Sequence, residues 1–247
     1  MRLHGATALV TGAGRDLGRD FAEQLLERGA AKVYATARRP ELIDLPGVVP
    51  LRLDVTDPES VAAAAEVAGD VDLLVNNAGV SLGVDLIHGD LDRIRLTLDT
   101  HLYGTLAMIR AFAPILAANG GGAILNVLSV LSFQSFLGNN AYAVAKAAQW
   151  SLTNGVRIEL AGQGTLVAGL VFGPTATETM RAFAEKNLGG GLLPDGVMND
   201  PVDIVRAALD GIEAGKVEIL ADGYGVAAKA SLAGDPSPFV LDAVSAG

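Results

Sequence analysis

A glycine-rich turn between a short apolar strand and a helix limits the possible folds of this chain more than any other feature. Residues 7–11 form an apolar and β-branched run that predicts a buried strand. The turn Gly12-Ala13-Gly14-Arg15-Asp16-Leu17-Gly18 follows directly, and a helical pattern runs from about 17 to 28 and ends at Gly29. This order gathers backbone N–H groups and a helix N-terminus around one point, which is how such turns bind a pyrophosphate.

Strands and helices alternate along the rest of the chain, without internal repeats or a linker. Seven strands are predicted, at residues 7–11, 32–37, 49–53, 73–76, 123–129, 166–171 and 217–221. Helical patterns lie between them at 17–28, 58–68, 91–118, 142–161 and 201–214. The strands are apolar on both faces, as buried parallel strands are. We therefore predict a single α/β domain over 1–247, with a doubly wound, seven-stranded parallel sheet flanked by helices on both faces.

Several polar or glycine-containing segments follow strands of this predicted sheet. They are the glycine turn, Asn76-Asn77-Ala78-Gly79, Ser129 and the segment after Val171. Ligands of doubly wound sheets bind beyond the carboxyl ends of the strands. We therefore expect these segments to surround one ligand.

Tyr142 and Lys146 stand four residues apart in a predicted helix, so they share one face. The ammonium is expected to lie beside the phenol and to lower its pKa from about 10, which makes it a usable acid or base. Taken alone, such a pair is more often solvated or merely packed. Ser129, thirteen positions before Tyr142, is the candidate third member, with Ser132 as a nearby rival.

Composition excludes several classes of partner. A net charge of -10 and a pI near 4.7 disfavour nucleic acid and anionic membranes, which require a basic face. The chain has no cysteine, and its three histidines lack ligand spacing, so we expect no disulfide and no metal. No uninterrupted apolar run has the ~18 to 20 residues that cross a bilayer, and the N-terminus lacks a signal-peptide core. We therefore expect a cytoplasmic protein without a membrane partner.

Together these residues resemble the short-chain dehydrogenase/reductase family. The motif series is Thr11-Gly12 with Gly18, Asn76-Asn77-Ala78-Gly79, Ser129, Tyr142-x-x-x-Lys146 and Gly173-x-x-x-Thr177, in the order and at the spacing usual for the family. The resemblance covers nearly the whole chain. It implies a Rossmann domain of the family's typical, single-domain kind, and an NAD(P)-dependent oxidoreductase that acts on CH–OH or C=O groups.

The resemblance also implies roles for individual residues. Tyr142 would protonate a carbonyl oxygen as hydride arrives, Lys146 would lower the pKa of Tyr142 and hold the nicotinamide ribose, and Ser129 would orient the carbonyl. Carbonyl reduction develops negative charge on oxygen, so donors placed there in advance favour it. The implied cofactor-binding residues are Gly12, Gly14, Arg15, Leu17, Gly18, Arg38, Arg39, Asp54, Val55, Asn77, Ala78, Gly79, Tyr142, Lys146, Gly173 and Thr177.

The residues after the second strand predict NADP(H) in preference to NAD(H). Ala37 is followed by Arg38 and Arg39, where an acidic residue would bind the adenosine ribose hydroxyls and repel a 2′-phosphate. Arg15 in the glycine turn is placed to reach the same phosphate, and a guanidinium suits that dianion through paired hydrogen bonds. The alternative interpretation is a solvated arginine pair.

Asp16 stands where the family's glycine turn usually has a glycine. It brings a side chain and a negative charge near the expected pyrophosphate path, which would weaken cofactor binding. The favoured interpretation is a helix cap, because aspartate is a good N-cap and its carboxylate can point away from the pyrophosphate path toward orphan backbone N–H groups. Gly14 keeps the turn flexible and Arg15 can offset the charge. On this interpretation, Asp16→Gly tightens NADPH binding or leaves it unchanged.

His101 occupies the helix position where the family normally carries an asparagine that holds a water of the proton relay behind the lysine. Imidazole also holds water and exchanges protons near neutral pH, so we hypothesise a rewired relay that includes His101. The equally weighted alternative is a helix-interior histidine that only packs.

Apolar residues predict a hydrophobic substrate pocket. They are Leu131, Phe133 and Phe136 after the serine, and Phe172, Met180, Phe183, Leu188, Leu192 and Leu193 in or near the segment after the sixth strand. Phe172 stands where the family often has proline, which would narrow the pocket. Gly189-Gly190-Gly191 predicts the hinge of a substrate flap at about 178–199. Core or subunit contacts are an equal alternative for these apolar residues.

The sequence thus predicts an NADPH-dependent carbonyl reductase, or the reverse alcohol dehydrogenase, for a hydrophobic ketone or aldehyde. A catalytically silent NADPH-binding sensor or scaffold is the alternative that Asp16 and His101 leave open, and a purely structural oligomer would bind no dinucleotide. The family commonly pairs its fourth and fifth helices, so a homodimer or homotetramer is expected. The irregular end, 234–239, is predicted either to dock on a partner or to remain mobile.

Overall fold

A computed structural model describes residues 1–187 and 197–240 and contains one seven-stranded, all-parallel sheet. The strands are β1 (Thr7–Val10), β2 (Lys32–Ala37), β3 (Val49–Arg52), β4 (Leu73–Asn76), β5 (Gly122–Val127), β6 (Thr165–Val171) and β7 (Glu218–Leu220). Their order across the sheet is β3-β2-β1-β4-β5-β6-β7. This confirms the predicted doubly wound sheet, with each predicted strand within two residues of its observed bounds.

Helices cover both faces of the sheet. They are α1 (Asp16–Glu27), α2 (Pro58–Val67), α3 (Leu91–Leu98), α4 (Thr105–Ala118), α5 (Asn140–Glu159), α6 (Glu178–Asn187), α7 (Pro201–Glu213) and α8 (Gly223–Ser231). The five predicted helical stretches are confirmed, while α6 and α8 lie in segments that the sequence did not predict as helical. Residues 188–196, which include the predicted glycine hinge and three of the predicted pocket leucines, lie outside the described residues.

Alternate residues of each strand face opposite cores, which is why the strands are apolar throughout. In β1, Ala8 and Val10 belong to one cluster with residues of α1 and α7. Leu9 belongs to the other, with residues of α2 and α4. On α1, Leu17, Phe21 and Leu25 recur every four residues and bury one face against the first cluster.

The predicted helix 91–118 is continuous, but it contains one π-helical stretch, Asp99–Gly104, between α3 and α4. By length and composition alone, Leu91–Ala118 could cross a membrane, contrary to our expectation that no segment could. A core helix meets the same criterion, and Met108, Phe112 and Leu116 of this helix are fully buried against the sheet. The π-helical stretch is relevant to the site because it carries His101.

The strand order creates a crevice at the carboxyl edge of the sheet. From β1 the chain continues to β2 on one side, while β4 pairs with β1 on the other side. The connections that leave β1 and β4 therefore diverge, and the space between them is where doubly wound sheets bind ligands.

Candidate active site

One cleft of about 690 Å³ occupies this carboxyl edge. The predicted catalytic and cofactor-binding residues line it, apart from Gly18, and so do five of the predicted pocket residues. Those residues are Gly12, Gly14, Arg15, Leu17, Arg38, Arg39, Asp54, Val55, Asn77, Ala78, Gly79, His101, Ser129, Leu131, Phe136, Tyr142, Lys146, Phe172, Gly173, Thr177, Met180 and Phe183. These residues are spread over 172 positions of the sequence, yet they surround one cleft. Their roles in the cleft stay predictions.

The glycine turn is fixed to the segment after β4 by hydrogen bonds. The Thr11 hydroxyl accepts from the backbone N–H groups of Asn77 and Ala78, each at 2.9 Å. The Asn77 amide donates to the carbonyl of Thr11 at 2.9 Å. Gly12 has a φ of +68°, and a Cβ there would lie 3.0 Å from Cα of Ala78, so the turn demands glycine. These contacts hold the backbone of the turn rigidly at the cleft wall.

Gly18 serves packing and does not line the cleft, which corrects its prediction as a cofactor contact. A Cβ at this position would lie 2.1 Å from the Gly12 carbonyl oxygen. Glycine is therefore required where α1 passes closest to the turn.

Three guanidinium groups, those of Arg15, Arg38 and Arg39, are exposed and line the end of the cleft beside β2. Asp54 lines the same end and accepts hydrogen bonds from the backbone and hydroxyl of Thr56, at 3.0 and 2.7 Å. Burial raises the pKa of Asp54, but those bonds and the charges of nearby arginines lower it overall. This end of the cleft therefore combines exposed positive charge with the hydrogen-bonded carboxylate of Asp54.

Tyr142 and Ser129 lie together at the other end of the cleft. Burial raises the pKa of Tyr142 to about 12, and a hydrogen bond with Ser129 acts in the opposite direction. Ser129 begins the short helix Val130–Ser132, where its hydroxyl accepts from the N–H of Leu131 at 3.2 Å. The Ser132 hydroxyl accepts from the N–H of Ser129 and is buried behind it. Ser129 is therefore the serine on the cleft wall, and Ser132 orients it.

Lys146 lies beside the Tyr142 ring, and its hydrogen bonds go to other groups. Its Nζ lies 5.5 Å from the centroid of the Tyr142 ring and donates to the Val127 carbonyl at 2.8 Å and the Gln149 side-chain oxygen at 2.9 Å. The Gln149 amide in turn donates to the Thr105 hydroxyl at 2.9 Å. Burial lowers the pKa of Lys146 to about 7. Burial makes the overall pKa of Tyr142 higher than its usual value, and the lowering of that pKa by Lys146 stays a prediction.

His101 packs edge-on against Tyr142, with ring centroids 5.1 Å apart and planes at 89°. Its Nε2 lies 2.8 Å from the Val80 carbonyl oxygen and 3.2 Å from the Val80 nitrogen, so the tautomer decides which bond forms. Burial and the charge of Lys146 lower the pKa of His101 to about 3. The imidazole is therefore neutral near pH 7, which favours a packing role over the hypothesised proton relay.

Asp16 does not cap its own helix, which corrects the favoured interpretation. Arg15 is the N-cap residue of α1, without a side-chain cap bond, and Asp16 is the first helical residue. Its carboxylate instead accepts from the N–H of Glu178 at 2.7 Å and from the hydroxyl of Thr179 at 2.5 Å. The negative charge is therefore bound by the first turn of α6, far along the chain.

Apolar side chains line the cleft near Ser129, and the C-terminal segment adds one wall there; the role of this end as the substrate pocket stays a prediction. Phe239 lines the cleft and lies 6.2 Å from Phe136 between ring centroids. Its N–H donates to the Ser135 carbonyl at 2.7 Å, so this end of the chain docks on its own protein. Phe133 does not line the cleft, because its ring packs edge-on against Trp150 at 5.2 Å. Leu188, Leu192 and Leu193 lie outside the described residues.

Sequence reasoning missed three features of the site. Gln149 had a usable signal, because it is a polar residue three positions after Lys146 on a largely alanine-lined helix. Phe239 and the Asp16–Thr179 contact had none, since both depend on chain segments that meet only in the folded protein.

The fold and the cleft define a doubly wound nucleotide-binding enzyme with a serine, a tyrosine and a lysine at one end of its site. Residues 6–188 match the family model of the short chain dehydrogenases. The chain therefore belongs to the short-chain dehydrogenase family, and it is an NAD(P)-dependent oxidoreductase that acts on CH–OH or C=O groups.

Three similar proteins illustrate the relationship. A solved short chain dehydrogenase from Burkholderia cenocepacia in complex with NADP is 37% identical, with a TM-score of 0.86 and 95% of each chain covered. An NADP-dependent 3-hydroxy acid dehydrogenase from Schizosaccharomyces pombe is 29% identical, over 90% of this chain and 92% of that protein. A 3-oxoacyl-(acyl-carrier-protein) reductase from Vibrio harveyi is 32% identical, over 85% of this chain and 90% of that protein.

Proposed function

We propose that this protein is an NADPH-dependent carbonyl reductase, or the reverse alcohol dehydrogenase, for uncharged hydrophobic ketones or aldehydes. The observation that carries the proposal is that Ser129 and Tyr142 share one cleft with a glycine turn and three arginines at one end and an apolar wall at the other. In this proposal the cofactor supplies the hydride.

The chain supplies the proton and the donors. Because burial raises the pKa of Tyr142 to about 12, its phenol is protonated at neutral pH and can act as the general acid toward a carbonyl oxygen. The Ser129 hydroxyl, bonded to that phenol, is a second donor for the negative charge that develops on the oxygen. Lys146 is held by Val127 and Gln149 under the Tyr142 ring, where its ammonium keeps the floor of the cleft polar.

Two observations support NADPH as the cofactor. The exposed guanidinium groups of Arg15, Arg38 and Arg39 line the cleft beside the end of β2, where no acidic residue follows Ala37. Guanidinium groups bind a phosphate dianion through paired hydrogen bonds. In addition, the B. cenocepacia relative was solved with NADP and the S. pombe relative is described as NADP-dependent.

The topology supports an uncharged, apolar substrate. The arginines of the cleft belong to the β1 and β2 side of the strand-order switch, whereas Leu131, Phe136 and Met180 follow β5 and β6 on the other side. Apolar side chains and hydroxyls therefore line the proposed substrate end of the cleft, and among the residues that the structure describes no guanidinium lies there for a substrate carboxylate. The predicted homodimer or homotetramer stays a prediction, because the structure contains one chain.

Oxidation of NADPH in the presence of a panel of aliphatic and aryl ketones and aldehydes tests the proposal. We expect turnover with apolar carbonyl compounds, at a higher kcat/KM than with their carboxylate-bearing analogues, and with NADPH in preference to NADH. Binding of NADPH without turnover of any member of the panel would instead support a cofactor-binding sensor. The hydrogen bonds of Lys146 to Val127 and Gln149 are the observation that keeps this second function under test.

The arginine pair is expected to determine cofactor preference. Arg38→Ala with Arg39→Ala should raise the Kd for NADPH at least about tenfold, because charge-assisted hydrogen bonds contribute about 1.5 to 3 kcal/mol each. The Kd for NADH should stay within about twofold, since NADH lacks the 2′-phosphate. Fluorescence titration with each cofactor measures both values.

Arg52→Ala is the matched control for the arginine pair. Arg52 is also exposed and also influences Asp54, but it does not line the cleft. Equal losses for NADPH and NADH in the double variant, or a loss in the control as large as in the double variant, would contradict the assignment of the 2′-phosphate to Arg38 and Arg39.

A further inference from the structure

Asp16 has an unusual backbone conformation for a residue other than glycine. Among the described residues it is the one non-glycine with a positive φ, at +50°. Aspartate tolerates this left-handed region better than most side chains, yet still at a cost relative to glycine. A side chain at this position therefore needs a compensating interaction.

That interaction joins two distant segments of the chain. The Asp16 carboxylate binds both the N–H of Glu178 and the hydroxyl of Thr179, which lie 162 and 163 residues away in sequence. The Asp16 side chain is only 17% exposed; its bond with Glu178 lies at the surface, and its bond with Thr179 is partly buried. Arg15 approaches the same carboxylate at 3.8 Å and is itself mostly exposed.

The receiving segment is the first turn of α6. Free N–H groups and the helix dipole make such a turn favourable for a negative charge. The Thr177 hydroxyl accepts from the N–H of Met180 at 3.1 Å in the same turn. Asp16 and Thr177 therefore both accept hydrogen bonds from backbone N–H groups at the start of this helix. Asp16 does so from a distant part of the chain, and Thr177 from the residue just before the helix.

Helix α6 carries part of the apolar wall of the cleft. Met180 and Phe183 lie on it and line the cleft, and Phe183 is 8% exposed. The glycine turn that bears Asp16 lines the same cleft from the side of β1. A bond between the turn and the helix therefore sets the distance between the dinucleotide end and the apolar wall.

We propose that Asp16 is a positioning residue that latches α6 to the glycine turn and so holds Met180 and Phe183 in place over the cleft. The latch is a property of the fold, and its effect on substrate rests on the proposed function. It concerns α6 (Glu178–Asn187), the described part of the predicted flap at about 178–199, with Asp16 as its anchor.

Hydrogen exchange of α6 tests the latch without any need for turnover. Asp16→Gly removes both bonds and suits the +50° backbone, so the fold should be retained. We expect amide exchange in peptides covering 178–187 to accelerate at least about tenfold, since two charge-assisted bonds are lost, while peptides of β5 exchange unchanged. Asp16→Asn, which keeps one acceptor but not the charge, should give a smaller acceleration.

Two further variants complete the test. Thr179→Val removes the hydroxyl that binds Asp16, and Asp92→Asn is the matched control. The double variant Asp16→Gly with Thr179→Val should exchange no faster than Asp16→Gly alone, because Thr179 has then already lost its acceptor. Asp92 is 89% exposed and pairs with Arg95 in α3, so its replacement removes one acidic charge without affecting the latch. Unchanged exchange of 178–187 in Asp16→Gly, or additive effects in the double variant, would overturn the proposal.

Steady-state kinetics gives the functional readout. In Asp16→Gly we expect the KM for an apolar ketone to rise about fivefold or more while the Kd for NADPH stays within about twofold, because the latch positions the apolar wall. A rise in the Kd for NADPH with an unchanged KM would overturn the positioning role. If exchange of α6 accelerates in Asp16→Gly but the parent turns over no carbonyl compound, the latch is supported and the proposed function fails. If the parent turns over carbonyl compounds but exchange of α6 is unchanged in Asp16→Gly, the proposed function is supported and the latch fails.

Discussion

Replacement of Tyr142 by phenylalanine is expected to reduce kcat for carbonyl reduction about a thousandfold while leaving NADPH binding within about twofold. The change deletes only the phenolic oxygen, and a positioned general acid contributes roughly 10²- to 10⁴-fold to such reactions. The ring itself is retained, together with its edge contact to His101 and the ammonium of Lys146 over its face. Stopped-flow NADPH oxidation and fluorescence titration separate the two effects.

Tyr103→Phe is the matched control for the catalytic variant. Tyr103 lies in the same π-helical stretch as His101, but its side chain is 60% exposed and does not line the cleft. Its replacement should leave kcat unchanged. A Tyr142→Phe protein that retains more than a tenth of the parent kcat would remove the phenol from the role of general acid.

The pH profile provides an independent check on Tyr142. With a pKa raised to about 12, the phenol is protonated across the neutral range, so deprotonation of Tyr142 should not reduce the rate of carbonyl reduction between pH 6 and 9. Alcohol oxidation needs the phenolate, and its rate should therefore increase with pH over the same range. Measured on one enzyme, the rate of reduction should therefore show no loss from Tyr142 deprotonation between pH 6 and 9, whereas the rate of oxidation should rise over that range.

His101 is expected to make this protein markedly acid-sensitive. Its folded pKa is about 3, against about 6.5 for the unfolded chain, so the unfolded state binds the proton more readily. The stability that depends on the neutral imidazole is fully present above pH 6.5 and is lost as the pH falls towards 3. A shift of that size corresponds to at most about 5 kcal/mol, with a slope of up to about 1.4 kcal/mol per pH unit.

Urea unfolding of the parent and His101→Asn proteins between pH 4 and 8 measures this effect. Asparagine does not titrate, so the parent should lose stability relative to His101→Asn as the pH decreases, while the carboxylates common to both proteins cancel in the difference. His88→Asn is the control, because His88 is exposed and solvated in both states. Parallel stability curves for the parent and His101→Asn would show that the imidazole is not held neutral by burial.

The same His101→Asn protein tests the proton relay. Because the imidazole is neutral throughout the neutral range, the pH profiles of turnover should superimpose apart from their height. A shift along the pH axis of either side of the profile in His101→Asn would support a role for His101 in the proton relay. It would contradict the packing role that the contacts of His101 with Val80 and Tyr142 favour.

Local patterns in the sequence were sufficient to predict the fold and most of the residues that line the cleft. The strands are short apolar runs, and their carboxyl ends must meet at one edge when all run parallel, so Gly12, Asn77 and Ser129 could be placed together from spacing alone. The helix bounds could be predicted for the same reason, since capping and periodicity are properties of neighbouring residues. The interpretation of Gly18 was less successful, because its requirement comes from the close approach of α1 to the turn.

What each polar side chain does within the site was decided only by tertiary structure. The sequence determined that Tyr142 and Lys146 share a helix face, but the fold decided that the ammonium donates to the Val127 carbonyl and to Gln149. It determined that Asp16 replaces a glycine, but the arrival of α6 decided which N–H the carboxylate binds. The physical reason is range: propensity and periodicity act between neighbours, whereas hydrogen-bond partners and the burial that shifts a pKa are supplied by segments that meet only in the folded chain.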